Sequence, residues 1–350
     1  MSKSNYSPVI FGIAGLSLSP PEIEFLSAVH PWGIILFARN IKDKAQLCVL
    51  TDSIKTLFAN PDYPILIDQE GGRVMRLRPP LVRDYPAAAF YGEIYKHNKA
   101  DAIMAAQLGA SLLAADLYDM GCSINCAPCL DLHFPATAAV IGDRAFSSDA
   151  EAVGILGEAF MAGLEAGGLL GMLKHLPGHG RATQDSHDVL PRISTSAAAL
   201  HDTDFHPFRV LAKKGGKGAL GMTGHLLFTD IDANQVSTFS ATLIENVIRT
   251  AIGFDGLLMS DDISMGALSP VDYGLRTTQC FQAGCDIVLH CNADMGEMQA
   301  IAASLPSISP PPSQTRMAAV ASKLSSRHCT IDPQQAEKEW HLLRNRYKLS

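Results

Sequence analysis

Eight short apolar runs rich in Val, Ile and Leu recur along the chain, at 9–15, 32–38, 63–68, 120–131, 168–175, 218–227, 256–261 and 285–291. Between them lie segments of helical periodicity at 20–30, 43–59, 99–117, 149–167, 196–214, 238–253, 274–284 and 293–304, several opened by a Pro, Ser, Thr or Asp cap. The runs are continuous rather than alternating in hydrophobicity, which is what strands buried on both faces require, and helical crossovers between such strands imply a parallel sheet. An open doubly wound sheet produces the same alternation, so the count of eight units decides for an α/β fold closed as a (β/α)8 TIM barrel. Composition agrees with a large core: 47% of the residues are hydrophobic and 18% charged, which excludes a disordered chain.

From about residue 305 the character changes. SLPSISPPPSQ reads as a Pro/Ser linker, followed by helical stretches near 313–327 and 332–346. The expected organisation is therefore a single barrel over 1–305, with 306–350 a linker and C-terminal helices packing on it. The formal net charge of -7 offers no basic footprint, so nucleic acid is not expected as a partner. The N-terminal apolar run is interrupted by Gly and Pro and no cleavage site follows it, so no signal peptide is expected. No stretch reaches the roughly 18 uninterrupted apolar residues of a membrane span. The eight cysteines show no small-scaffold spacing, and the chain is expected in the cytoplasm with reduced thiols.

In a barrel the active site forms at the C-terminal ends of the strands. Reading those ends in order gives Asp68 with Glu70, then Asp131, Lys174 with His175, His225, Asp261 with Asp262, and Asn292. The segment after the fifth strand, LPGHGRATQDSHDVLPRIS, is roughly 20 residues long, where ordinary strand-to-helix connections run about 2–6. It holds His179, Asp185 and His187. Asp185 and His187 are spaced so that the carboxylate can take the imidazole N–H, orienting the ring for proton transfer.

Each signal also has a plainer reading. Asp261–Asp262 would serve as a helix N-cap with a first-turn acid, and His225 as a satisfied histidine at a strand end. His175 and His179 have the spacing of a zinc-binding helix, but Pro177 and Gly178 break any such helix. Cys122, Cys126 and Cys129 have a spacing also seen in iron–sulfur barrel enzymes. On a strand, Cys122 and Cys126 would share one face and Cys129 the other, so the three would not converge on a cluster. Neither a metal nor a cofactor is expected, since no dinucleotide fingerprint or phosphate loop is present.

Taken together, DQEGGRVMR, IGDRAF, KHLPGHG followed by DSH, and SDDISMGAL resemble the motif set of glycoside hydrolase family three, specifically its single-domain bacterial β-N-acetylhexosaminidases. The resemblance runs in order from about residue 10 to 295. It implies Asp261 as nucleophile, His187 as acid/base oriented by Asp185, and Asp68, Arg76, Arg144, Lys174 and His175 as ligands of the sugar hydroxyls, with Asn292 and His225 as further candidates. It also implies a cytoplasmic enzyme that takes N-acetylglucosamine from its linkage to 1,6-anhydro-N-acetylmuramic acid during peptidoglycan recycling, and a monomer is the default. Leu176 stands where Phe is commoner in the KH-x-PGHG motif. Two competing readings are phosphorolysis on the same scaffold and a catalytically silent sugar-binding protein.

Overall fold

The computed structural model describes residues 6–135, 140–186 and 188–347. Eight parallel strands close into a barrel: β1 (Ser7–Gly12), β2 (Pro31–Leu36), β3 (Ile65–Ile67), β4 (Ile124–Asn125), β5 (Leu170–Leu176), β6 (Leu220–Thr223), β7 (Leu257–Asp262) and β8 (Ile287–His290). Each pairs with its sequence neighbours, and β8 closes on β1 through Val9 opposite Val288 and Phe11 opposite His290. Each of the eight apolar runs overlaps one barrel strand. The helices between them are α1 (Pro20–Val29), α2 (Lys44–Leu57), α3 (Lys99–Tyr118), α4 (Ala150–Ala166), α5 (His206–Gly215), α6 (Leu243–Ala251), α7 (Tyr273–Ala283) and α8 (Met295–Ala303).

The caps follow the local chemistry. Ser19 opens α1 with a capping box, its N–H donating to Glu22 at 2.8 Å. Asp43, Asn98, Asp149, Asp272 and Asp294 each accept a first-turn N–H of the following helix. The segment 196–214 is two helices rather than one. Ala197–Asp202 stops before α5 because Pro207, in the first turn of α5, has no N–H to continue the ladder. The helix expected over 238–253 is a short 3-10 turn at Ser237–Phe239 followed by α6, which is wound as a π-helix. A helix at Ala88–His97 has no counterpart in the periodicity analysis. By length and composition α3 would pass for a membrane span, yet its Ala- and Leu-rich faces are buried within the fold.

Strand alternation sorts the core into two layers. Val9, Phe11, Ile65, Ile67, Leu173 and Leu258 face outward into the shell between strands and helices. Ile10, Leu66, Ile124, Leu170, Met172, Leu220, Met222, Leu257, Met259, Ile287 and Leu289 fill the barrel interior. The run 120–131 is the exception to a clean strand. Only Ile124–Asn125 is regular, followed by an isolated bridge from Cys129 to Lys174. The expected sharing of a face by Cys122 and Cys126 is therefore corrected. Cys122, placed before the strand by the left-handed turn at Gly121, joins the outer shell, Cys126 the interior, and Cys129 a small group with Ile141 and Ala145.

The C-terminal helices have distinct seats. On α9 (Pro311–Ser326), Val320 and Leu324 join the interior cluster with Leu170, Leu220, Leu257 and Ile287, so this helix plugs the N-terminal mouth of the barrel. Arg316 and Ser313 bind the buried Asp286 just before β8. On α10 (Pro333–Arg346), Trp340 is fully buried against Tyr85, and Glu337 takes two N–H bonds from Arg83. Leu324→Ala is expected to lower stability by about 2–4 kcal/mol, because the closed mouth cannot collapse around the lost side chain. Urea midpoints would report it.

Candidate active site

The alternation that fills the interior also determines what stands above the filling. One inward position beyond Leu66 is Asp68, beyond Met172 is Lys174, and beyond Met259 is Asp261. Three ionisable side chains thus crown an apolar column at the C-terminal mouth.

Lys174 is the hub. Its Nζ lies 2.9 Å from Asp68 Oδ1 and 2.7 Å from Glu70 Oε1, with the side chain only 3% exposed. Arg144, on the 3-10 turn Gly142–Arg144, grips Glu70 through Nε and Nη2, both at 2.8 Å. Arg76 donates to Asp68 Oδ2 at 3.0 Å. Burial by itself would raise the Asp68 carboxyl, but Lys174 and Arg76 outweigh it and hold the group well below the usual carboxylate range. Burial opposes ionisation of Glu70 too, yet Arg144 and Lys174 bring its pKa down from 4.5 to about 2. Lys174 is pushed well above its ordinary value, its desolvation outweighed by Asp68 and Glu70.

A second cluster adjoins the first. Asp131 Oδ2 is 2.6 Å from His175 Nδ1, and its Oδ1 accepts the backbone N–H of His179 at 2.6 Å. Burial would raise Asp131, but His175 and the His179 N–H hold it well below the usual range. An ionised carboxylate only accepts, so Nδ1 of His175 carries the hydrogen and Nε2 faces Arg144 Nη2 at 3.5 Å. The Lys174–His175 peptide is cis, and both side chains reach the pocket. Gly180 is required by contact: a Cβ there would stand 2.2 Å from the Leu132 carbonyl oxygen.

The two neighbouring aspartates part company. Asp262 is a local cap, accepting from Ser264 N at 2.9 Å, Ser264 Oγ at 2.6 Å and Cys291 N at 3.2 Å. Asp261 is partly exposed, and among the described residues its carboxylate accepts only the Asp262 N–H, at 2.8 Å. Partial burial would raise Asp261, but His175, His225, that N–H and Lys174 outweigh it and keep the group ionised.

Two expected sugar ligands sit differently. His225 is fully buried, with Nδ1 2.8 Å from Thr238 Oγ1 and Nε2 donating to the Asp262 carbonyl at 3.0 Å, so it braces the β7 backbone and has no nitrogen left for a sugar. Burial lowers its pKa, favouring the neutral ring that this bonding needs. Asn292 is exposed at the rim, its amide donating to Glu297 at 3.2 Å. Asp185 is on the loop after β5, where its carbonyl accepts the N–H groups of Asp188 and Val189 at 3.1 and 3.0 Å; His187 lies outside the described residues.

The site residues left out of the expected set are supports. Gln69 is buried and clamps the hairpin that carries Glu70, accepting from Arg76 N and Leu77 N, and it exchanges bonds with Asn125 of β4. A buried amide inside DQEGG was the available signal. Asp131 and Glu70 stood at strand ends in the sequence, but nothing there showed which cation each would hold. Cys129, Asp131 and His175 present metal-ligand atom types within 4.8 Å of one another. The thiol donates to Asp131 at 3.2 Å and the imidazole at 2.6 Å, so the trio satisfies itself as a hydrogen-bonded set. His175 and His179 turn to different partners, Asp131 and Ser186.

The chain matches the model of the glycosyl hydrolase family 3 N-terminal domain over residues 18–323. The chain belongs to glycosyl hydrolase family 3. It is similar to a β-hexosaminidase of Chromobacterium violaceum, 38% identical over 306 residues that cover 87% of this chain and 83% of the relative. It is also similar to a β-hexosaminidase of Methylococcus capsulatus, 34% identical across 95% of this chain and 96% of the relative. Among solved structures, NagZ of Neisseria gonorrhoeae in complex with N-trifluoroacetyl-D-glucosamine superposes with a TM-score of 0.85 at 30% identity, over 97% of this chain and 98% of that one. The family makes this chain a glycoside hydrolase of the β-hexosaminidase type with a carbohydrate substrate.

The stability signature of the buried ion pairs follows from Glu70. Its folded pKa is depressed, so its contribution is complete above pH 4.5 and is lost as pH falls toward about 2. Glu70→Gln is expected to cost about 3–5 kcal/mol at pH 7, since Lys174 and Arg144 lose a charged partner. Urea unfolding at pH 7, 4 and 3 should show the gap between wild type and variant narrowing steadily through that acid window.

Proposed function

We propose that the chain is a retaining β-N-acetylglucosaminidase that removes N-acetylglucosamine from the non-reducing end of its conjugates with 1,6-anhydro-N-acetylmuramic acid, with or without the peptide. It acts as a cytoplasmic monomer in peptidoglycan recycling. The observation that carries the reading is the environment of Asp261: an ionised, partly exposed carboxylate with one N–H bond, beside Lys174 and His175.

In this reading Asp261 attacks the anomeric carbon while the glycosidic C–O bond breaks, and His187 gives its proton to the departing oxygen. A glycosyl ester on Asp261 results. His187, now neutral, takes a proton from water, whose oxygen displaces Asp261 from the anomeric carbon. Two inversions give net retention, and the carboxylate and imidazolium are restored. Asp185 orients the imidazole and stabilises its charged form. Asp68, Arg76, Arg144, Lys174 and His175 bind the sugar hydroxyls. Lys174 spends two of its three N–H bonds on Asp68 and Glu70, which leaves one for substrate. A single-domain chain with a histidine in this role fits an N-acetylated sugar, and the gonococcal relative's bound N-trifluoroacetyl-D-glucosamine points to the same glycone.

Reaction with a 5-fluoro N-acetylglucosaminyl donor followed by peptide mapping is expected to place one adduct on Asp261, and Asp261→Ala to lower kcat/KM by about 10³-fold or more, about 4 kcal/mol. Labelling of another residue would overturn the assignment. Release of sugar-1-phosphate in phosphate buffer would replace hydrolysis by phosphorolysis. A preference for chitobiose over the anhydromuramyl disaccharide would remove the recycling substrate.

A further inference from the structure

One residue of the long loop has no place in the chemistry above and yet is among the most buried in it. Ser186 is 3% exposed and stands in the chain between Asp185 and His187. Its Oγ lies 3.1 Å from His179 Nε2, and its carbonyl accepts the N–H of Ala267 at 3.2 Å. These two bonds run to different walls of the site. His179 belongs to the segment directly after β5, and Ala267 to the 3-10 turn Gly266–Leu268 that follows Asp261 at the end of β7.

His179 is itself firmly held. Its backbone N–H goes to Asp131 Oδ1 at 2.6 Å and its ring packs edge-on against His175 at 5.6 Å. Its Nδ1 has no hydrogen-bond partner among the described residues, which makes Ser186 the one polar group found on the ring. A buried imidazole with a single hydrogen bond leaves a polar atom unsatisfied, so losing that one bond would leave the ring with none. Asp131 therefore holds two groups at once: the His175 ring that faces the pocket, and through His179 the serine of the loop.

We propose that Ser186 is a positioning residue, a latch that docks the loop against His179 and Ala267 so that the flanking Asp185 and His187 meet the leaving-group oxygen over Asp261. Consecutive Cα atoms are about 3.8 Å apart, so fixing a residue between two walls shortens the reach of the residues that flank it. Displacement of such a group by about 1 Å costs on the order of 10²-fold in rate. The inference rests on the reading of Asp185 and His187 as the acid/base pair.

The test compares Ser186→Ala, Ser186→Thr and His187→Ala with wild type on two aryl N-acetylglucosaminides. A 2,4-dinitrophenyl group departs without a proton, whereas a phenyl group needs one. For Ser186→Ala, kcat/KM on the phenyl substrate should fall about 10–100-fold, within the span of general acid catalysis, and stay within about twofold on the dinitrophenyl substrate. Ser186→Thr keeps the hydroxyl and should restore most of the loss. Equal loss on both substrates, no loss on either, or a folded Thr variant no better than Ala would overturn the latch. If His187→Ala shows the leaving-group dependence and Ser186→Ala does not, the latch alone fails. If His187→Ala shows none, the acid/base reading fails and takes the latch with it.

Discussion

The ammonium of Lys174, enclosed between Asp68 and Glu70, is the contact on which the rest of the mouth depends. A buried charge without a partner costs several kcal/mol, so the carboxylates at the end of β3 and on the following hairpin cannot be released from β5 without a large penalty. Strands β3 and β5 are not neighbours, since β4 lies between them. The triad therefore ties the barrel across β4, whose regular part is only Ile124–Asn125. Arg144 and Arg76 extend the tie to the turn at Gly142–Arg144 and to the end of the hairpin. Because every member already has its counter-charge, the set is fixed within the protein itself. Such preorganisation is what lets fixed charges discriminate between ground and transition states.

The same period of two that closes the barrel writes the composition of the pocket. Interior positions of a small barrel must be filled, and the filling here is Leu, Ile and Met up to the level of Leu66, Met172 and Met259. One step further along each strand the side chains meet no more filling, and Asp68, Lys174 and Asp261 stand there. At the opposite mouth the chain uses an apolar plug, Val320 and Leu324 of α9, instead of charge. Stability is concentrated at the closed end and chemistry at the open one, so changes at one end have little route to the other.

The barrel was legible in the sequence because fully buried parallel strands give continuous apolar runs, which do not depend on long-range detail. The run 120–131 reads as one strand but is regular only at Ile124–Asn125, because hydrophobicity alone does not show where hydrogen bonding to neighbours stops. The backbone leaves strand geometry soon after Asn125, and that is also why the facing of Cys122 and Cys126 differed from expectation. The split of 196–214 was foreshadowed by Pro207, whereas the π winding of α6 left no mark in the periodicity. In the site, Asp68, Arg76, Arg144, Lys174 and His175 come together as expected. What the sequence did not contain was the pairing: that Glu70 neutralises both Arg144 and Lys174, that Asp131 selects the tautomer of His175, and that Gln69 and Asn125 brace the hairpin. Those are decisions of tertiary contact between residues far apart in the chain. The two readings of His225 stay open in the sequence for a related reason, since a histidine at a strand end looks the same whether its nitrogens face a substrate or, as here, Thr238 and the Asp262 carbonyl.

Asp261 and Asp262 show how far identical chemistry can be separated by one step along a strand. Neighbouring side chains on β7 diverge, and each then meets a different electrostatic environment. Asp262 finds the Ser264 hydroxyl and two backbone N–H groups, spends its acceptor capacity on them, and so ends the strand and fixes the turn toward Gly266–Leu268. His225 then locks the same residue from behind through its carbonyl. With the turn held on both sides, the Asp262 N–H is presented to Asp261 Oδ1, orienting that carboxylate while leaving its second oxygen without a donor among the described residues. In the proposed mechanism the cap is thus what leaves its neighbour free to attack. A carboxylate wrapped in donors is a poor nucleophile, and one with a single N–H bond, kept ionised by the cations of the mouth, retains a lone pair to share.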